Sequence, residues 1–142
     1  MKVHIITIGE PKLSYARAGW DEYLARLRHY HAMRVTHIQD KYNDSEHLLQ
    51  AAGGAYKVGL VIEGNQLDSR GLAAWIETRN QSGVEVALLI GGPDGLPADV
   101  ISACDMKWSL SKLTFPHDLA MVILVETLYR ASTIAAGQPY HR

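Results

Sequence analysis

Val86-Ala-Leu-Leu-Ile90-Gly-Gly-Pro-Asp-Gly95 decides the fold class. Five apolar residues in a row, with no polar face, read as a strand covered on both sides, the habit of a parallel sheet. The abrupt stop at Gly91 and Gly92 marks the strand's carboxyl end, where glycine permits a tight turn or close approach of a ligand. Pro-Asp-Gly forms turns anywhere, so the turn by itself names no ligand. No Gly-Lys-Ser/Thr follows it, and G-x-G-x-x-G is absent, which sets aside a phosphate-binding P-loop and a dinucleotide fingerprint.

Working outward, strand and helix signals alternate. Residues 3–8 are rich in β-branched side chains and stop at Gly9, predicting a first strand. Apolar residues at three- and four-residue steps (Trp20, Tyr23, Leu24, Leu27, Tyr30) predict a helix over 14–31. Strands are expected at 35–38 and at 58–62, the latter closed by Glu63-Gly64-Asn65. Helices capped by Ser45 and Ser69 should end near Gly53-Gly54 and Gly83. A short helix over 97–104 and a brief fifth strand over 106–110 precede a final helix at about 116–136. Its stretch 119–125 is apolar almost all round, so it is either internal or covered on its outer face by another subunit. The pattern is that of an α/β domain with a mainly parallel sheet, and without linker or repeat it reads as one domain over 1–142.

Composition narrows the function. The chain has 142 residues, 47% hydrophobic and 20% charged, with a formal net charge of −1. Binding of nucleic acid by bulk electrostatics is therefore not expected, and any RNA contact needs a local basic patch. A single cysteine, Cys104, allows neither an intrachain disulfide nor a cysteine metal site. The seven histidines show no i, i+4 pair with a companion carboxylate, so no metal is expected. The first nine residues read as strand rather than signal peptide, and no apolar run is long enough for a membrane span. The expected setting is the cytoplasm.

Two further stretches carry chemistry. Trp108-Ser-Leu-Ser-Lys-Leu-Thr-Phe-Pro-His117 threads three hydroxyls, a lysine and a histidine among apolar residues with neither helical nor strand period. Its Pro116 is suited to opening the helix that follows. The end of the sequence, Gly137-Gln-Pro-Tyr-His-Arg142, sets an aromatic ring, a titratable ring and a guanidinium side by side, the groups that hold an unstacked base and its phosphate. A frayed end would contain the same residues. Glu126, Tyr129 and Arg130 fall on adjacent turns of the last helix, where Glu126 and Arg130 also suit a plain i, i+4 ion pair.

Taken in order, Leu-Leu-Ile90-Gly-Gly-Pro-Asp-Gly95, Leu110-Ser-Lys-Leu-Thr-Phe-Pro-His117, Glu126-Thr-Leu-Tyr-Arg-Ala131 and Pro139-Tyr-His-Arg142 resemble the bacterial ribosomal RNA large subunit methyltransferase H family. These are small SPOUT-type enzymes that methylate N3 of a pseudouridine in 23S rRNA with S-adenosylmethionine. The resemblance covers nearly the whole chain. It implies a carboxyl-terminal trefoil knot, one of the rare exceptions to unknotted topology, and a homodimer that completes each active site. It places cofactor contacts on Leu60, Gly91, Gly92, Leu110, Ser111, Lys112, Leu113, Thr114 and Phe115. Arg130, Tyr140 and Arg142 are the residues expected to hold the RNA base and phosphate. Loss of the N3 proton calls for a group of suitable pKa, for which His117, Glu126 and His141 all qualify. Two departures stand out: the region 40–54 is shorter than expected, and the family often carries arginine where this chain has Met121. A SPOUT enzyme acting at another RNA position, or a non-catalytic RNA- or nucleotide-binding module, is the alternative.

Overall fold

The computed structural model describes residues 1–140. Five strands, β1 (Lys2–Ile8), β2 (Ala32–Ile38), β3 (Tyr56–Gln66), β4 (Val86–Ile90) and β5 (Met106–Ser109), form one sheet in the order β2-β1-β4-β3-β5. Every neighbouring pair is parallel. The helices are α1 (Ser14–Leu27), α2 (Ser45–Ala52), α3 (Ser69–Ser82), α4 (Ala98–Ala103) and α5 (His117–Ala135). Helices α1 and α3 pack on α5, and α2 packs on α4.

Strand alternation sorts the core onto two faces. Val86, Leu88 and Ile90 of β4 join Trp20, Leu24, Ile76, Leu124 and Leu128 on the face of α1, α3 and α5. Ala87 and Leu89 turn the other way, toward Leu48, Ala52 and Val100 of α2 and α4. All five residues of β4 are buried, which is the doubly covered strand that its unbroken apolar run predicts.

The structure corrects several boundaries. Helix α1 stops at Leu27 rather than near residue 31, because Ala32 already pairs with Lys2 of β1 and the chain must turn before it. The caps of α2 and α3 are Asp44 and Asp68, not Ser45 and Ser69. Their carboxylates accept the amides of His47 and Gly71 at 2.8 and 2.7 Å. In each Asp-Ser pair both residues are good caps, and the aspartate takes the position one residue earlier. Glu63-Gly64-Asn65 does not close β3: the strand runs on to Gln66, pairing Asn65 and Gln66 with Trp108 and Ser109 after a register shift beyond Leu60. Gly64 makes this possible, since a β-carbon there would lie 2.7 Å from the Lys107 backbone carbonyl carbon. Region 40–54 folds as a single 3-10 turn, Asp40–Tyr42, and the eight-residue α2.

Helix α5 is the chief core element. Met121, Leu124 and Val125 are fully inaccessible, so Met121 serves packing in this chain. Further along, His31 Nε2 meets the Ser132 hydroxyl at 2.9 Å, while that hydroxyl donates to the Leu128 carbonyl. Burial first, and then the nearby amino terminus, lower the His31 pKa from 6.5 to about 4. The unfolded chain therefore takes up a proton that the folded chain refuses. Stability is full above pH 6.5 and falls as the pH drops from 6.5 toward about 4. Urea midpoints measured across that window are expected to decline in the wild type. The His31→Gln protein is expected to show a flatter curve over the same window.

Candidate active site

The irregular middle of β3, the carboxyl end of β4 and the segment leaving β5 enclose a cleft of about 580 Å³, at the rim where open parallel sheets collect ligands. One wall is Leu60, Val61 and Ile62 of β3, the strand's irregular stretch. A second is the turn Gly91 to Gly95, closed by the Gly95 amide donating to the Gly92 carbonyl at 2.9 Å. The third is the irregular segment between β5 and α5, contributing Leu110, Ser111, Leu113, Thr114, Phe115 and Pro116. His117 and Ala120 of α5 complete it.

Each wall has a local cause. At Gly91 an added β-carbon would sit 2.3 Å from the Gly95 carbonyl carbon, so only glycine lets the turn fold back on the strand end. The segment after β5 is held by its own hydroxyls: Ser109 Oγ donates to the Ser111 carbonyl at 2.9 Å, and Ser111 Oγ accepts the Leu113 amide at 3.0 Å. These bonds satisfy one carbonyl and one amide of an irregular backbone that carries apolar side chains. Leu113 is 70% exposed and Ile62 53% exposed, a high value for apolar side chains on a cleft wall.

Two residues of the lining hold polar atoms without partners among the described residues. Trp108 Nε1 and His117 Nε2 are buried nitrogens without a hydrogen-bond partner among the described residues, and both residues line the cleft. Buried polar atoms are rarely left unpaired in native proteins. A mostly apolar cavity with a few unpaired polar atoms is suited to an organic ligand. Next to His117, the Asp118 carboxylate accepts the amides of Lys12 and Leu13 at 2.8 and 2.6 Å. Burial would raise this carboxyl, but the Leu13 and Lys12 amides together with His117 outweigh it and hold it below the usual carboxylate range.

Of the residues singled out in the sequence, Leu60, Gly91, Gly92, Leu110, Ser111, Leu113, Thr114, Phe115 and His117 come together here. Lys112 is exposed and is not part of the lining. Glu126, Arg130 and Tyr140 form a second cluster. Glu126 lies nine residues after His117 on α5, roughly 13 Å along the helix axis. Arg130 Nη2 and the Tyr140 hydroxyl both donate to Glu126 Oε2 at 3.0 Å. The Arg130 guanidinium lies over the Tyr140 ring at 5.1 Å, and Tyr129 meets that ring edge-on at 4.7 Å. Burial first, then the bonds to Tyr23 and Glu126, push the Tyr140 phenol pKa up. The i, i+4 ion pair and an aromatic cluster thus coexist. His141 and Arg142 lie outside the described residues.

Sequence reasoning missed Trp108 as part of the cleft and Asp118 as the neighbour of His117 that anchors residues 12 and 13. A lone tryptophan on a strand reads as core, and an aspartate in a first helical turn reads as a response to the helix dipole. Cys104 sits at the end of α4, its thiol donating to the Val100 carbonyl at 3.3 Å and its pKa pushed up by burial. Among the described residues no cluster of three His, Cys, Asp or Glu is placed to hold a metal ion, and no helix is long and apolar enough to cross a membrane.

A family model described as predicted SPOUT methyltransferase matches residues 1–141. A ribosomal RNA large subunit methyltransferase H of Deinococcus deserti is 51% identical over the full length of both chains. A protein of the same name from Thermus thermophilus is 39% identical over 100% of this chain and 99% of its own. Among solved structures, a probable methylase family protein from Haemophilus influenzae superposes with a TM-score of 0.62 at 10% identity, covering 99% of this chain and 70% of that one. TrmJ from Z. mobilis gives 0.54 at 12% identity, covering 92% and 70%. These two structures share the fold.

Proposed function

The chain belongs to the SPOUT methyltransferase family, and from that membership we propose that it methylates 23S rRNA of the large ribosomal subunit at N3 of a pseudouridine, using S-adenosylmethionine. The observation that carries the reading is the apolar, glycine-walled cleft, two of whose lining residues, Trp108 of β5 and His117 of α5, hold buried nitrogens without partners among the described residues. Its residues fit the cofactor: Leu60, Leu113 and Phe115 offer apolar surfaces, and Trp108 Nε1 a hydrogen-bond donor without a partner of its own among the described residues. Backbone groups around Gly91, Gly92 and residues 110–115 would meet the adenine. When bound, S-adenosylmethionine supplies an electrophilic methyl group.

The remaining work belongs to the protein. Enclosure by three walls fixes the reacting groups, and orientation can contribute about 7–11 kcal/mol of barrier lowering. His117 is our choice for the proton acceptor, because it lines the cleft and its Nε2 has no partner among the described residues. Glu126 is committed to Arg130 and Tyr140. Arg130 and Tyr140, with Arg142, would hold RNA, and in a homodimer the second copy would bring this cluster to the cleft of the first. The partly exposed apolar residue Ile123 of α5 favours such pairing. The direct passage of α5 from edge strand β5 to a place against α1 and α3 favours a trefoil knot. Residues 1–142 would act as one domain, in the cytoplasm. Mass spectrometry of 23S rRNA fragments from cells with and without the protein tests the assignment. One extra methyl on a pseudouridine, present only with the protein, is expected. Identical fragments from both cells would refute it.

A further inference from the structure

His117 and Asp118 are the first two residues of α5, and their contacts constrain one another. Asp118 is only 7% exposed. Its Oδ2 accepts both the Lys12 and the Leu13 amide, at 2.8 and 2.6 Å, from the segment joining β1 to α1. With that oxygen engaged and the carboxylate fixed, Oδ1 is left facing His117 Nδ1 at 3.5 Å. This is longer than an ordinary hydrogen bond, and catalytic hydrogen bonds in ligand-free sites are commonly long and tighten on binding. The other ring nitrogen, Nε2, is buried without a partner among the described residues, and the ring is part of the cleft lining.

An ionised carboxylate can only accept hydrogen bonds, so the neutral ring nitrogen turned toward it is the one that carries hydrogen. The remaining nitrogen then keeps its lone pair. Other titratable groups near the ring do not compete for Nδ1. His37 is close enough to influence it and has Glu10 beside it, but His37 Nδ1 is bonded to the Thr7 hydroxyl at 2.6 Å. Asp40 approaches the same glycine, Gly9, as the His117 ring, and Asp94 lies across the cleft in the glycine turn.

We propose that Asp118 is a positioning residue: it holds His117 as the Nδ1–H tautomer, so that Nε2 is the atom that accepts the proton from the target nitrogen of the RNA base. The inference rests on the methyltransferase reading above. In the step it serves, the N–H bond of the base breaks and the proton goes to Nε2. The electron pair stays on the base nitrogen, which becomes the nucleophile, and the imidazolium afterwards returns the proton to water.

Asp118→Asn is the decisive change. The asparagine oxygen can still accept the Lys12 and Leu13 amides, while its NH2 now faces Nδ1 and makes that nitrogen an acceptor. Nitrogen-15 spectra of the histidine rings at alkaline pH, needing neither donor nor RNA, are expected to show His117 as Nδ1–H in the wild type and as Nε2–H in Asp118→Asn. Single-turnover methylation by the variant should fall by about 100- to 10,000-fold, while S-adenosylmethionine affinity by calorimetry stays within about threefold. Loss of donor affinity in step with turnover, with the tautomer unchanged, would reduce Asp118 to a structural anchor and overturn the proposal. So would an Nε2–H tautomer in the wild type, a result that stands even if the variant folds poorly. An active wild type with that tautomer removes the positioning role alone. A wild type that methylates no RNA removes the methyltransferase reading with it.

Discussion

Protein lacking residues 140–142 is expected to bind S-adenosylmethionine with wild-type affinity and to leave RNA unmethylated. Tyr140 is held on several sides. Tyr140 packs edge-on against Tyr129, its hydroxyl bonds Glu126 and approaches the Tyr23 hydroxyl at 3.3 Å, and Arg130 covers its ring. None of these side chains lines the cleft, so removing them leaves the donor's surroundings intact. Tyr140→Ala alone removes a stacking surface worth about 1–3 kcal/mol per base, or roughly a 5- to 150-fold loss in RNA affinity. Tyr140→Phe keeps the ring and gives up the Glu126 bond and the longer Tyr23 contact, together about 1–2 kcal/mol, so its loss should stay under about thirtyfold. Calorimetry with the donor and single-turnover methylation with 23S rRNA separate the two effects. Full turnover by the truncated protein would remove the tail from the RNA site.

Gly91→Ala is expected to damage the other half of the site. The new β-carbon would lie 2.3 Å from the Gly95 carbonyl carbon and 2.5 Å from the Leu96 amide nitrogen. Backbone cannot yield as a flexible side chain would, so the turn forming one cleft wall must move. Overpacking of this kind costs about 1–3 kcal/mol. Donor affinity should fall at least about tenfold, and the melting midpoint by several degrees. Gly95→Ala is the control. Gly95 has a φ of +77° but nothing within 4 Å of an added β-carbon, so it carries only the conformational cost, about 1–2 kcal/mol. If both variants bound the donor alike, the wall at Gly91 would have no part in binding.

Periodicity makes the sheet legible in this chain, and proximity makes the site illegible. The unbroken apolar run 86–90 announces the central strand without help from neighbours. The continuation of β3 through Glu63, Gly64 and Asn65 has no such signal. Those residues have turn chemistry, and only pairing with β5 makes Asn65 and Gln66 strand. The cleft lining of residues 110–115 came from resemblance, since their mixed pattern fits no period. Trp108 and Asp118 look like core and helix-start residues until the fold sets them beside the cleft and residues 12–13. The contact between Tyr23 and Tyr140 spans 117 positions of sequence and has no local trace at either end.

The central claim, that three walls at the rim of the sheet grip a methyl donor, is tested most directly by a crystal structure of the protein grown with S-adenosylmethionine. The expected density lies between Leu60 to Ile62, Gly91 to Gly95 and the segment 110–117, with Trp108 Nε1 facing a polar atom of the ligand. Donor bound elsewhere on the molecule with this cleft filled only by water would contradict it.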